Sequence, residues 1–187
     1  MWWAQTDEPA PVIDSRTERL RRFERLFAAQ YAVVAAYANR RATPVDADDA
    51  VAETFLVAWR RLDDVPDDAK PWLFGVARRV LANQRRAARR RDALYDRAAT
   101  SLTAAGDPVD TQVLQALARL SEPDREILLL AAWDGLTMVE ATAVLGCSRA
   151  AAKVRLHRAR RRLREELARL QGDRPTTTTR LKECHEE

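Results

Sequence analysis

The sequence predicts an all-α protein built of two small helical domains joined by a flexible linker. Of its 187 residues only five are glycine, and the abundance of Ala, Leu and Arg favours helices. Apolar residues recur at steps of three and four, as on one face of a helix, whereas no long segment alternates as a strand would. Between residues 98 and 110 this periodicity fades and Gly106 and Pro108 appear, which predicts the linker.

These patterns divide the chain into five segments. We predict a disordered lead at 1–14, a first domain at 15–95, a linker at 96–110, a second domain at 111–171 and a disordered tail at 172–187. The lead and the tail are polar and lack helical periodicity, so neither is expected to form a packed core.

The first domain contains three predicted helices. The first follows a capping box that runs from Ser15 to Glu18. The second begins at Thr43-Pro44, because proline is favoured in the first turn of a helix. After a loop at 63–70, the third helix is predicted to run from Pro71 to Arg91.

Charge is strongly segregated along the chain, although the formal net charge is only +4. Between Asp46 and Asp68 there are eight acidic and two basic residues, whereas between Arg78 and Arg91 there are seven arginines and no acid. Acids in the first turn of a helix are explained by the helix dipole, but Glu53 lies further along. The asymmetry suggests two different partners, of which one is a polyanion.

The stretch from Leu136 to Leu170 predicts a helix-turn-helix in the second domain. A short helix ends at Gly146, which suits the left-handed position there. Ser148 then caps a longer helix whose surface is mostly basic. This layout is typical of a DNA-binding motif whose second helix enters the major groove. A surface helix with solvated arginines is the alternative, but the short turn and the caps favour DNA binding.

Composition excludes several classes of protein and site. The longest apolar run, Ile127 to Trp133, is too short to span a bilayer, and the first residues lack the features of a signal peptide. Cys147 and Cys184 give neither a disulfide framework nor metal-site spacing. Since no nucleophile has a plausible base, an enzyme acting on nucleic acid ranks last. We expect a cytoplasmic, non-enzymatic protein that uses no cofactor or metal and does not enter a membrane.

Three segments in this order resemble the bacterial RNA polymerase sigma factors of the extracytoplasmic-function (ECF) group. They read DADDAVAETFLVAW at 46–59, WLFGVARRVLANQRR at 72–86 and LTMVEATAVLGCSRAAAKVRLHRARRRL at 136–163. The resemblance implies a subunit that binds RNA polymerase core and directs it to promoter DNA, with an anti-sigma factor as a further candidate partner. A stand-alone helix-turn-helix regulator is the alternative, but it leaves the acidic segment without a partner.

The resemblance also implies which residues form the binding sites. The polymerase-binding residues would be Asp49, Glu53 and Thr54. The loop that captures a flipped promoter base would contain Val65, Pro66, Asp67, Asp68 and Lys70. The strand path along the next helix would be lined by Arg78, Arg79, Asn83 and Arg86, to which we add Arg85 as a phosphate contact. The recognition helix would place Arg149, Lys153, His157 and Arg158 in or beside the major groove. For His157, a solvated side chain is an equally good interpretation.

Overall fold

The computed structural model describes residues 15–92 and 108–172 of the chain. Within them the helices are α1 (Ser15–Asn39), α2 (Pro44–Arg60), a 3-10 turn (Leu62–Asp64), α3 (Ala69–Asp92), α4 (Pro108–Arg119), α5 (Glu122–Ala132), α6 (Met138–Leu145) and α7 (Arg149–Gly172). No strand occurs in these ranges, so the all-α prediction is confirmed. The predicted lead, most of the linker and most of the tail lie outside the described residues.

The described helices belong to two compact units. In the first, α1, α2 and α3 pack against one another; in the second, α7 packs against both α4 and α5. The segment Val139–Gly146, which includes most of α6, belongs to the first unit. The domain boundaries drawn from the sequence therefore stay a prediction. None of the described helices is both long enough and apolar enough to cross a membrane.

The core of the first unit is centred on two stacked aromatic rings. Tyr37 of α1 and Phe74 of α3 are fully buried, and their ring centroids lie 4.4 Å apart. The guanidinium of Arg41 lies 3.6 Å from the Tyr37 ring centroid and donates to the Tyr37 carbonyl at 3.0 Å. Arg85 of α3 in turn donates to the Arg41 carbonyl at 2.8 Å. These contacts tie α3 to the turn that follows α1.

Three of the predicted signals at helix ends are present in the structure. Thr43 accepts a hydrogen bond from the Asp46 N–H at 3.3 Å and so caps α2. Ser148 accepts from the Ala151 N–H at 3.2 Å and caps α7 in the same way. Gly146 has a φ of 65°, the left-handed conformation expected there.

The third helix begins earlier than the sequence predicted. It starts at Ala69 rather than Pro71. Proline is tolerated in the first turn because the N–H groups there have no partner within the helix, so the N–H that proline lacks is not needed. Lys70 therefore lies in the first turn of α3 and not in the preceding loop, so its prediction as a loop residue is wrong.

Polar contacts at the start of α5 link it to α4 and α7. Arg125 donates to the carbonyls of Leu117, Ala118 and Leu120 at 2.9, 3.0 and 3.1 Å, which satisfies acceptors at the end of α4. Asp124 is only 5% exposed and accepts from the Ser121 hydroxyl at 2.8 Å and from Arg162 of α7. The side of α7 that packs against α4 and α5 carries the buried residues of this helix, Ala152, Leu156 and Ala159.

Two leucines give a matched test of the packing in the first unit. Leu73 of α3 is fully buried, whereas Leu56 of α2 is 46% exposed. We expect Leu73→Ala to reduce the free energy of unfolding by about 2–5 kcal/mol, because the truncation leaves a cavity. Leu56→Ala should reduce it by less than about 1 kcal/mol. Urea unfolding followed by circular dichroism compares the two variants, and equal losses would contradict the packing described for α3.

Candidate nucleic-acid and protein interfaces

One exposed face of α2 carries the two predicted acidic docking residues. Asp49 and Glu53 are both exposed and lie four residues apart, so they are neighbours on the helix surface. Leu56 and Arg60 continue the same face at steps of three and four and are exposed as well. The sequence reasoning missed Leu56, because an apolar residue in a periodic helix is normally taken for core.

Thr54, the third residue predicted to bind polymerase, does not lie on this exposed face. Its side chain is fully buried, and its hydroxyl donates to the Ala50 carbonyl of the preceding turn at 2.6 Å. It lies next to Glu53 in the sequence but about 100° around the helix, which turns it toward the core. Its assignment as a polymerase contact stays a prediction.

Of the five residues predicted to belong to the base-capturing loop before α3, three have exposed side chains. Pro66, Asp67 and Asp68 are exposed. Val65 lies in the loop as predicted, with its side chain only 6% exposed and its carbonyl accepting from Arg22 at 3.2 Å. Lys70, in the first turn of α3, lies partly buried with its ammonium 5.7 Å from the Phe74 ring centroid.

The predicted strand path along α3 divides into two groups. Arg79, Asn83 and Arg86 are exposed and share one helix face, and Arg86 donates to the Asn83 side-chain oxygen. Arg78 and Arg85 are partly buried, and Arg85 is the residue that bonds the Arg41 carbonyl. The structure therefore brings three of the five residues together as one polar surface.

The N-terminal half of α7 presents basic side chains that no acid neutralises. Arg149, Lys153 and His157 recur at four-residue steps, and all three are exposed, as is Arg158. Among the described residues, the side chains of Arg149, Lys153 and Arg158 form no hydrogen bond or ion pair. Further along, Arg161 pairs with Glu165 at 3.5 Å and Arg162 pairs with Asp124. The exposed basic side chains of the first turns thus lie where a recognition helix contacts base edges.

Within residues 15–92 and 108–172, no group of three or more His, Cys, Asp or Glu side chains could hold a metal ion. Cys147, in the turn before α7, is a partly exposed free thiol. Cys184 and His185 lie outside the described residues.

Two sigma-70 families match the chain, region 2 at residues 26–91 and region 4 at residues 110–163. The ECF RNA polymerase sigma factor SigL of Mycobacterium tuberculosis is 34% identical over 134 residues, covering 66% of this chain and 76% of SigL. The chain belongs to the ECF group of RNA polymerase sigma factors. The ECF sigma factor SigF of Caulobacter vibrioides is 35% identical over 144 residues, which are 73% of this sigma factor and 80% of SigF.

Two solved structures share the fold of this sigma factor. The sigma factor RpoE in complex with the anti-sigma factor NepR, from Bartonella quintana, has a TM-score of 0.69 at 28% identity over 81% of this chain and 98% of RpoE. CnrH in complex with the cytosolic domain of CnrY has a TM-score of 0.59 at 31% identity, and the match covers 82% of this chain and 90% of CnrH. The exposed α2 face and the α3 surface lie within the region 2 match, and the α7 surface lies within the region 4 match.

Arg85 and Arg86 differ in their contacts and so give a matched pair of variants. Arg85→Ala removes a charged donor from a partly buried carbonyl, and we expect the free energy of unfolding to fall by about 1–2 kcal/mol. Arg86→Ala should change it by less than about 0.5 kcal/mol, because its partner Asn83 stays solvated. Urea titrations of both variants measure the difference. If Arg85→Ala leaves the free energy of unfolding unchanged, Arg85 again becomes a candidate residue of the DNA-binding surface.

Proposed function

We propose that this sigma factor binds RNA polymerase core, directs it to promoters and supports transcription initiation, with no enzymatic activity of its own. One observation carries the proposal: a single chain joins sigma-70 regions 2 and 4, with an exposed acidic face and a basic surface in region 2 and a second basic surface in region 4. A stand-alone regulator would account for α7 but not for the acidic face of α2. Polymerase and promoters are both cytoplasmic in bacteria, so we place its action there.

Polymerase docks, in this proposal, on the exposed face of α2. Asp49 and Glu53 supply negative charge, and Leu56 supplies an apolar surface between Glu53 and Arg60. The matching polymerase surface would carry basic side chains around an apolar centre, since complementary charge speeds encounter and fixes orientation.

Promoter opening is assigned to α3 and the loop before it. Arg79 and Arg86 carry positive charge suited to phosphates, and Asn83 between them can pair with a base or sugar. Pro66, Asp67 and Asp68 are exposed in the adjoining loop. Because carboxylates repel phosphates, Asp67 and Asp68 would contact base edges, where an acceptor can bind the cytosine amino group.

The upstream promoter element is assigned to α7. Its Ser148 cap and buried inner face fix the first turns, from which Arg149, Lys153, His157 and Arg158 extend outward. Positive charge without an internal partner is what a phosphate backbone attracts. The N-terminal turns would read bases, and the later arginines would contact backbone or solvent.

An anti-sigma factor is the third proposed partner. The two structural neighbours are sigma factors in complex with NepR, an anti-sigma factor, and with the cytosolic domain of CnrY. In this chain Leu20, Phe27 and Tyr31 of α1 are 40–47% exposed and lie on one side of the helix. Such an apolar surface supports binding of a partner protein with an apolar face.

Reversal of charge on α2 tests the docking assignment. We expect Asp49→Arg with Glu53→Arg to reduce affinity for core polymerase at least tenfold, because like charges then face each other. Helix content should not change, since both side chains are exposed. Glu165→Arg, an exposed acid of α7, is the control and should leave core binding intact. A binding titration in which the double variant matches the native protein would remove this assignment.

A comparison of Lys153 with Arg164 tests the recognition helix. Lys153 is exposed in the second turn of α7, whereas Arg164 lies about 16 Å further along the axis and bonds the Arg160 carbonyl. Lys153→Ala should weaken binding to the native promoter about tenfold and relax preference at one or two upstream base pairs. Arg164→Ala should do little of either. Selection from a randomised promoter library measures both, and unchanged preference in Lys153→Ala would contradict the groove assignment.

A further inference from the structure

One apolar residue stands out on the basic face of α7. Val154 is 49% exposed, although the buried face of this helix is already formed by Ala152, Leu156 and Ala159. Valine loses side-chain freedom in a helix and is a poorer helix former than alanine. An exposed valine here therefore contributes little to the fold, and helix propensity does not account for it.

The surroundings of Val154 combine apolar and cationic surface. It lines a shallow hollow together with Ala151, Arg155 and Arg158. The carboxylate of Asp124 borders the same hollow but is paired with Arg162. No acidic residue occurs between Arg149 and Arg164. A ligand that complements this surface has an apolar group with negative charge around it.

Duplex DNA provides that combination in its major groove. The thymine C5-methyl group is the one apolar group that a base pair presents there, and small apolar side chains contact it in direct readout. Phosphates flank it on both sides and match the basic side chains around Val154. Val154 is the sixth residue of α7 and directly follows Lys153, within the N-terminal turns that reach base edges in a helix-turn-helix.

We propose that Val154 is a specificity-determining residue that contacts the methyl group of a thymine in the upstream promoter element. The proposal rests on the assignment of α7 to promoter DNA made above and adds the base that this position reads. Lys153 and Val154 are about 100° apart on the helix, so they read neighbouring base pairs. The valine contributes selectivity for thymine, and the surrounding arginines contribute affinity that does not depend on sequence.

Deoxyuridine substitution removes only the methyl group and leaves base pairing intact. The full-length protein, assembled with core polymerase, is titrated against promoter duplexes in which each upstream thymine is replaced in turn. We expect the native protein to lose about fourfold in affinity at one thymine, as for the loss of one buried methyl contact. Val154→Ala should lose a similar factor on the thymine duplex and should not respond to deoxyuridine at that position. Val139→Ala, at another exposed valine, is the matched control and should behave as the native protein.

The outcomes separate this proposal from the one it rests on. If no thymine responds to deoxyuridine while Lys153→Ala still relaxes base preference, the role of Val154 is wrong and the assignment of α7 stands. A Val154→Ala variant that keeps the full deoxyuridine response also overturns the role. Weakened binding of that variant to core polymerase in the absence of DNA would instead make the hollow a protein contact. If the native protein shows no base preference at the upstream element and Lys153→Ala has no effect on binding, both proposals are overturned.

Discussion

The orientation of α7 depends on a carboxylate that is buried at the start of α5. Asp124 accepts from Ser121 within its own turn and from Arg162 across the unit. Removal of one partner of such a pair leaves a charge that the protein interior does not solvate. Together with the inner face at Ala152, Leu156 and Ala159, this contact determines which residues point outward. The basic and apolar side chains assigned to promoter DNA are the ones left on the opposite side.

Much of the positive charge of the chain serves the fold rather than a partner. Arg22, Arg85 and Arg125 donate to backbone carbonyls, and Arg41 covers the ring of Tyr37. Guanidinium groups suit this role because their five donors satisfy several acceptors at once. Composition alone therefore overstates the basic surface that is available to nucleic acid. Arg79 and Arg86 on α3 and Arg149, Lys153 and Arg158 on α7 remain exposed.

Local features of the fold followed from the sequence, whereas the direction of individual side chains did not. Caps at Thr43 and Ser148 and the turn at Gly146 depend on a few neighbouring residues, so their chemistry is readable directly. Thr54 and Val65 were assigned by position in a family motif, and a motif does not say which side of a helix or loop is buried. Leu56 and Val154 were missed for the opposite reason. An apolar residue looks the same in a sequence whether it enters the core or stays exposed.

Substitutions on the two sides of α7 have different physical consequences. Substitutions on its inner side change packing and are costly, whereas substitutions at exposed positions usually change stability little. A duplicated copy of this sequence could therefore acquire a new set of target promoters through a few outward-facing changes, while its helical scaffold stayed intact. With the promoter assignment proposed above, a change of target promoter requires no new fold, only a different set of side chains on one side of a single helix.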